Sequence, residues 1–350
     1  MQLSVATSCR PVCPVAVARQ QARRPPPPAF SAAAAGGRAA AARPHRPGRP
    51  VAASAAAPGT YQASESAAGS VVVQVLPDEA AVAAFLCDTV ERAAAAAVEA
   101  RGSFTLAIPG GSVLKALKGL AGRPIPWDKT RIFFVNHKCV PKDDPATSSY
   151  AKARALFLDA VGAPGCAVPP SGTESAEAEA AAYAAALSSA ADAAGMERAP
   201  GGAPRFDLML IGVGSDGHVG SLYPNNSAVF DPSGALVLPV VKAKPPASIT
   251  LSLAVMNAAR EVLVCLTGAS KSGAARLALE TTNLPAGEFP AQLVRPDLGP
   301  ATWVLDTASA AELSLAAGGE RPQQQPAEGQ QGGGRQAGMP LPDGSILYTF

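Results

Sequence analysis

The chain has 350 residues, 48% of them apolar, with 29 basic and 27 acidic side chains and a formal net charge of +2. Residues 1–64 hold eight arginines and no carboxylate, which leaves 21 basic against 27 acidic residues in the remainder. A mildly acidic body argues against nucleic acid as the partner. Outside alanine-rich helix pieces no stretch reaches ~18 apolar residues free of charge and proline, so no membrane span is expected.

In chain order, residues 1–57 are rich in arginine, alanine, serine and proline. Without acids and without a continuous apolar core, this composition predicts an organelle transit peptide rather than a secretory signal. Its proline content and lack of an amphipathic helix favour the chloroplast. Residues 58–68 read as a linker. VVVQVL (71–76) is a β-branched strand, and a helix runs from Asp78 to about Arg101 with Val82, Phe85, Leu86 and Val90 on one face. FTLAI (104–108) is a strand, PGGS (109–112) a loop and VLKALKGL a helix. RIFFV (131–135) is the next strand, followed by a polar loop and a helix across Tyr150–Leu158. An alanine-rich helix covers Glu174–Ala194 and FDLMLIGV (206–213) is a buried strand. LVLPVV (236–241) and ITLSLAVM (249–256) are apolar stretches. EVLVCLTG (261–268) is a strand leading into helix SGAARLALE, and ATWVLD (301–306) is a last strand. Residues 317–350 form a low-complexity tail. Strands alternating with helices predict one α/β domain over 69–316, with a largely parallel sheet flanked by helices.

Six cysteines, Cys9, Cys13, Cys87, Cys139, Cys166 and Cys265, form no C-x-x-C pair. Neither a disulfide framework nor a zinc site is indicated. The chemistry gathers instead at three strand ends. In PGGS, glycines opening a helix let backbone N–H groups approach an anion, and Ser112 adds a hydroxyl; a plain tight turn capped by serine is the other reading. In TGASK (267–271), Lys271 falls in the first helical turn, where the dipole disfavours a cation. A bound anion would explain it, as would a solvated surface lysine.

The third stretch, GVGSDGH (212–218), places one of only three histidines just past a buried strand, where open α/β sheets bind ligands. Its glycines match G-x-G-x-x-G. Pro224 cuts short any long helix behind it, and Asp231 does not end a following strand, which argues against a dinucleotide. A neutral imidazole suits a general base. No second histidine lies nearby for a metal. Together the loops describe hydrolysis or isomerisation of a sugar phosphate, with His218 as the base.

FDLMLIGVGSDGHVGSLYP resembles the signature loop of 6-phosphogluconolactonases. LAIPGGSVLKAL, WDKTRIFFVNHKCVPKDDPATSSYAKARALFL, PPASITLSLAVMNAAREVLVCLTGASKSGAARLALE and LPAGEFPAQLVRPDLGPATWVLD resemble further blocks of that family, in family order across about 69–316. The resemblance implies a Rossmann-like α/β fold shared with glucosamine-6-phosphate deaminases. It implies hydrolysis of 6-phosphogluconolactone in the oxidative pentose phosphate pathway, with no cofactor, metal or nucleotide. By position, His218 matches the general base, and Asp216 and Gly217 shape its loop. Gly110, Gly111, Ser112 and Lys271 match phosphate-binding elements.

The chain departs from the family in three places. Asn136-His137-Lys138 stands where the family usually has Asp-Glu-Arg, Ser248 where it tends to have arginine, and Pro109 where it has serine. Lys138 keeps the charge without the bidentate fork, and His137 reads as a solvated loop residue. The lost arginines leave room for a non-catalytic sugar-phosphate binder. Asp216 with His218 could also serve an isomerase or deaminase. The oligomeric state is not legible.

Overall fold

The computed structural model describes residues 58–241, 243–314 and 347–348. The expected transit peptide (1–57) and all of the expected tail except Leu347–Tyr348 lie outside the described residues. Among the described residues no helix is long and apolar enough to cross a membrane.

The strands are β1 (Gly59–Ser66), β2 (Gly69–Leu76), β3 (Phe104–Ile108), β4 (Thr130–Phe134), β5 (Asn136–Lys138), β6 (Leu208–Gly212), β7 (Val237–Val240), β8 (Ser248–Leu251), β9 (Glu261–Leu266), β10 (Ala301–Asp306) and β11 (Leu347–Tyr348). The helices are α1 (Glu79–Arg101), α2 (Gly111–Ala116), α3 (Ser149–Ala153), α4 (Ala176–Ala193), α5 (Leu253–Ala258) and α6 (Ser272–Glu280). The main sheet has the order β11-β1-β2-β10-β9-β6-β3-β4, and β5-β8-β7 form a small second sheet. From β2 to β4 every neighbouring pair in the main sheet is parallel.

The expected α/β fold with a largely parallel, helix-flanked sheet is therefore present, and its apolar runs follow from burial on both faces. Leu208 and Leu210 of β6 face one core with Leu106, Ile108, Leu263 and helix α1. Met209 and Ile211 face the other, with Phe133, Val264, Trp303 and α4. The alternation is the period-2 geometry of a strand, and each fully buried Leu or Phe contributes about 1.5–3 kcal/mol.

Helix α1 has the ends its sequence encodes. The Asp78 carboxylate accepts from the Ala81 N–H at 2.8 Å, capping the N-terminus. At the other end Gly102 is left-handed (φ 77°) and donates to the Val98 carbonyl, as glycine does at a helix C-terminus. Val82, Leu86 and Val90 are buried, while Phe85 packs partly buried against the same core.

Two expectations are corrected, and an apolar stretch is resolved into its elements. The expected linker 58–68 contains β1, which pairs antiparallel with β2 and parallel with Leu347–Tyr348. The expected helix over Tyr150–Leu158 is α3 followed by a π-helical turn, Arg154–Leu158. ITLSLAVM is the end of β8 followed by α5, with Ser252 at the junction.

The topology also fixes where a ligand can sit. From β3 the chain moves outward to β4, then returns to place β6, β9 and β10 in turn on the other side of β3. The strand order thus reverses between β3 and β6. The crevice at the carboxyl ends of those two strands is the binding place of open α/β sheets.

Candidate active site

Two of the three glycine loops, PGGS and GVGSDGH, follow the strands at this reversal point, and TGASK follows β9 beside them. After β3, Gly110 caps α2 in an extended conformation and Gly111 begins it with φ +72°, a left-handed value that favours glycine. Ser112 is exposed at the same turn. Helix α2 lies over β6, and a Cβ built on Gly212 would meet Val113 Cγ2 at 3.4 Å.

After β9, the loop is held by a residue that sequence reasoning did not single out. The Gly268 N–H donates to both carboxylate oxygens of buried Asp306, at 3.1 and 3.0 Å, and Ser309 N–H donates to Asp306 as well. A short 3₁₀ turn, Ala269–Lys271, then leads into α6, so Lys271 is the residue preceding the helix. Its Nζ donates to the Val213 carbonyl at 2.9 Å, which ties the β9 loop to the β6 loop. Burial lowers the Lys271 pKa, and the charge of Asp216 opposes that shift. A cavity of about 490 Å³ borders both glycine loops, lined by Ser112, Thr267, Glu79, Val113 and Lys115 among others.

After β6 the chain makes a compact turn. Gly214 N–H donates to the His218 carbonyl at 2.8 Å, and Gly217 N–H to the Gly214 carbonyl at 3.0 Å. Two glycines are required by space. A Cβ on Gly214 would fall on the His218 ring and the Asp216 carboxylate, and one on Gly217 would lie 2.5 Å from Phe289 Cδ2. Gly217 also has φ +84°. Its carbonyl accepts from Ala291 N–H at 3.0 Å, so the 289–291 segment braces the turn from outside.

Within this turn His218 Nδ1 lies 2.6 Å from Asp216 Oδ1. Burial pushes the Asp216 carboxyl up, but the hydrogen bond and charge of His218 with nearby backbone N–H groups outweigh it and hold the pKa below the usual value. An ionised carboxylate only accepts, so Nδ1 carries the hydrogen and Nε2 is the free basic nitrogen. Tyr223 lies over the imidazole with ring centroids 4.8 Å apart and planes at 39°. The dyad is partly exposed and open to solvent.

The Asn136-His137-Lys138 segment is β5, which pairs antiparallel with β8 and brings Lys138 opposite buried Ser248. Lys138 Nζ donates to the carbonyls of Lys244 and Pro246, at 3.2 and 3.1 Å. Two of its three donors are so used. Burial and the nearby Lys244 lower its pKa.

His137 is not solvated: it is 1% exposed, and neither ring nitrogen has a hydrogen-bond partner. Period-2 geometry turns it to the face opposite Asn136 and Lys138. Burial pushes its pKa down to about 4, against the opposing charge of Glu179. The unfolded chain takes up this proton below about pH 6.5 and the folded chain withholds it until about pH 4. Stability is therefore intact above pH 6.5 and falls as pH drops through that window, by up to about 1.4 kcal/mol per pH unit from this group. In denaturant titrations, His137→Leu should lose markedly less stability than the parent between pH 6.5 and 4. Identical acid profiles would contradict the burial of a neutral ring.

Residues 77–303 match the family model for glucosamine-6-phosphate isomerases/6-phosphogluconolactonase. The chain belongs to this family. It is 32% identical over 250 residues to the 6-phosphogluconolactonase of Nostoc sp., covering 69% of this chain and 98% of that one. It is 31% identical over 278 residues to "Probable 6-phosphogluconolactonase 3, chloroplastic" of Oryza sativa subsp. japonica, covering 77% and 85%. Among solved structures, the 6-phosphogluconolactonase of Trypanosoma brucei superposes with a TM-score of 0.59 at 24% identity, covering 69% of this chain and 98% of that one. The Thermotoga maritima 6-phosphogluconolactonase gives 0.55 at 21%, covering 67% and 98%. Both structures share the fold described above.

Proposed function

We propose that this chain hydrolyses 6-phosphogluconolactone to 6-phosphogluconate, the lactone-opening step of the oxidative pentose phosphate pathway. The observation that carries the reading is the 2.6 Å Asp216–His218 contact, set at the reversal point of the sheet on a turn to which Lys271 is tied. The named activity of the relatives supports the same reading.

In this mechanism Asp216 holds the Nδ1–H tautomer, and Nε2 of His218 removes a proton from water as the oxygen attacks the lactone carbonyl carbon. The carbonyl π pair moves to oxygen, and backbone N–H groups of the glycine turns stabilise that charge. Collapse restores the carbonyl and breaks its bond to the ring oxygen. The proton on Nε2 passes to that oxygen as it leaves as a hydroxyl, and the new carboxylic acid ionises. The phosphate is held by the amides at Gly110 and Gly111, the Ser112 hydroxyl and the Lys271 ammonium, with Gly217 keeping the turn open to substrate. Lys138 contributes through its one remaining donor.

A side-by-side assay of the purified chain with 6-phosphogluconolactone and with glucosamine 6-phosphate tests this assignment. Turnover of the lactone alone is expected. Turnover of the amino sugar alone would assign the isomerase chemistry that the family also covers, with Asp216 and His218 as its acid–base pair.

The same reading places the protein in the plastid stroma. The arginine-rich, acid-free composition of residues 1–57 and the chloroplastic relatives from Oryza sativa support it. Residues 1–68 fused to a fluorescent protein are expected to direct it to chloroplasts. Diffuse cytosolic fluorescence would contradict the address.

A further inference from the structure

The turn that carries His218 is anchored from below by a side chain outside the loops considered so far. Asn136, the first residue of β5, extends its Nδ2 to the Gly220 carbonyl at 3.0 Å and to Ser221 Oγ at 3.2 Å. Gly220 is two residues beyond His218. The orientation of the amide is not arbitrary: a carbonyl oxygen accepts only, so the atom facing Gly220 must be the nitrogen. Thr250, opposite Asn136 in the β5–β8 register, takes the next link. Its Oγ1 accepts from Ser221 N–H at 3.2 Å and donates to the Leu251 carbonyl at 3.1 Å. Gly220 lies so close to this pair that a Cβ on it would sit 2.5 Å from Thr250 Oγ1. Asn136 and Thr250 therefore grip consecutive residues of the catalytic turn from the paired strands β5 and β8.

We propose that Asn136 is a positioning residue for His218, acting through the donor capacity of its amide. The proposal rests on the lactonase reading for its kinetic test. An aspartate in this place, as the family usually carries, could accept but not donate when ionised. Against the Gly220 carbonyl it would set oxygen against oxygen at about the present 3.0 Å. The amide is thus matched to a turn whose carbonyl points at β5, and this departure of the chain serves the catalytic loop rather than the substrate.

The test compares the full-length parent with Asn136→Asp and Asn136→Ala by lactone kinetics and thermal unfolding. A displacement of the general base lowers kcat, while Gly110–Ser112 and Lys271 lie on other loops and Lys138, on the same strand, keeps its own contacts to the carbonyls of Lys244 and Pro246. Asn136→Asp is expected to lower kcat about 10- to 100-fold, with KM within about twofold of the parent. Asn136→Ala should fall less, because it removes the donor without introducing repulsion. A role in filling space would give the reverse order, since Asp is isosteric and Ala is not. Parental kcat in Asn136→Asp, or a larger loss in Ala than in Asp, overturns the proposal. Should the Asp variant not fold, a fall in kcat at unchanged KM in Asn136→Ala supports it, and parental kcat overturns it.

If the parent itself does not open the lactone, the lactonase reading fails and the positioning claim is read from proton NMR. The His218 ring signals should move in Asn136→Ala. Unmoved His218 signals overturn the proposal.

Discussion

Replacing His218 by alanine is expected to lower kcat for lactone opening by about 10²–10⁴, the range for loss of a general base, with little change in stability. The imidazole is partly exposed and its one side-chain hydrogen bond is to Asp216, so its removal leaves no buried group unsatisfied. The loss should fall on kcat more than on KM, because the groups assigned to phosphate lie on the Gly110–Ser112 and Lys271 loops and on β5. Steady-state kinetics with a correction for spontaneous hydrolysis provide the check. A variant as fast as the parent would remove His218 from the mechanism.

Substituting Gly214 by alanine is expected to cost nearly as much without touching a functional side chain. The added methyl would occupy the space of the His218 ring and the Asp216 carboxylate. Gly214 has no left-handed backbone to strain, so the conflict resolves by displacement of the dyad. A shift of about 1 Å in a general base costs on the order of 10²-fold in rate. We expect kcat to fall by about that factor, with a thermal midpoint close to the parent's. Parental kcat would mean that the dyad tolerates the displacement, and that the 2.6 Å contact is not the working geometry.

The positions of the loops were legible because glycine, serine and histidine interrupt apolar runs at strand ends, and the physics of those ends is local. What was not legible depended on contacts distant in sequence. Asn136 and Gly220 are 84 residues apart, and nothing in either segment announces the other. Asp306 ends the strand ATWVLD, an available signal, but its partner Gly268 is 38 residues upstream. His137 was misread for a different reason. Between asparagine and lysine it looks like part of a polar loop, whereas three residues of strand suffice to turn its side chain inward. The strand Gly59–Ser66 escaped because GTYQASES has no apolar run; its place comes from pairing with β2. The glycines at 214 and 217 were visible as letters, but that one makes room for the imidazole and the other for Phe289 is a fact of packing.

In the proposed reaction this chain opens 6-phosphogluconolactone with its own residues. Its most direct test follows the disappearance of the freshly generated lactone by NMR, with and without the purified full-length protein, at a pH where spontaneous opening is slow. The protein is expected to accelerate the loss of the lactone and the formation of 6-phosphogluconate in proportion to its concentration. A rate equal to that of buffer alone, from protein shown by its spectrum to be folded, would contradict it.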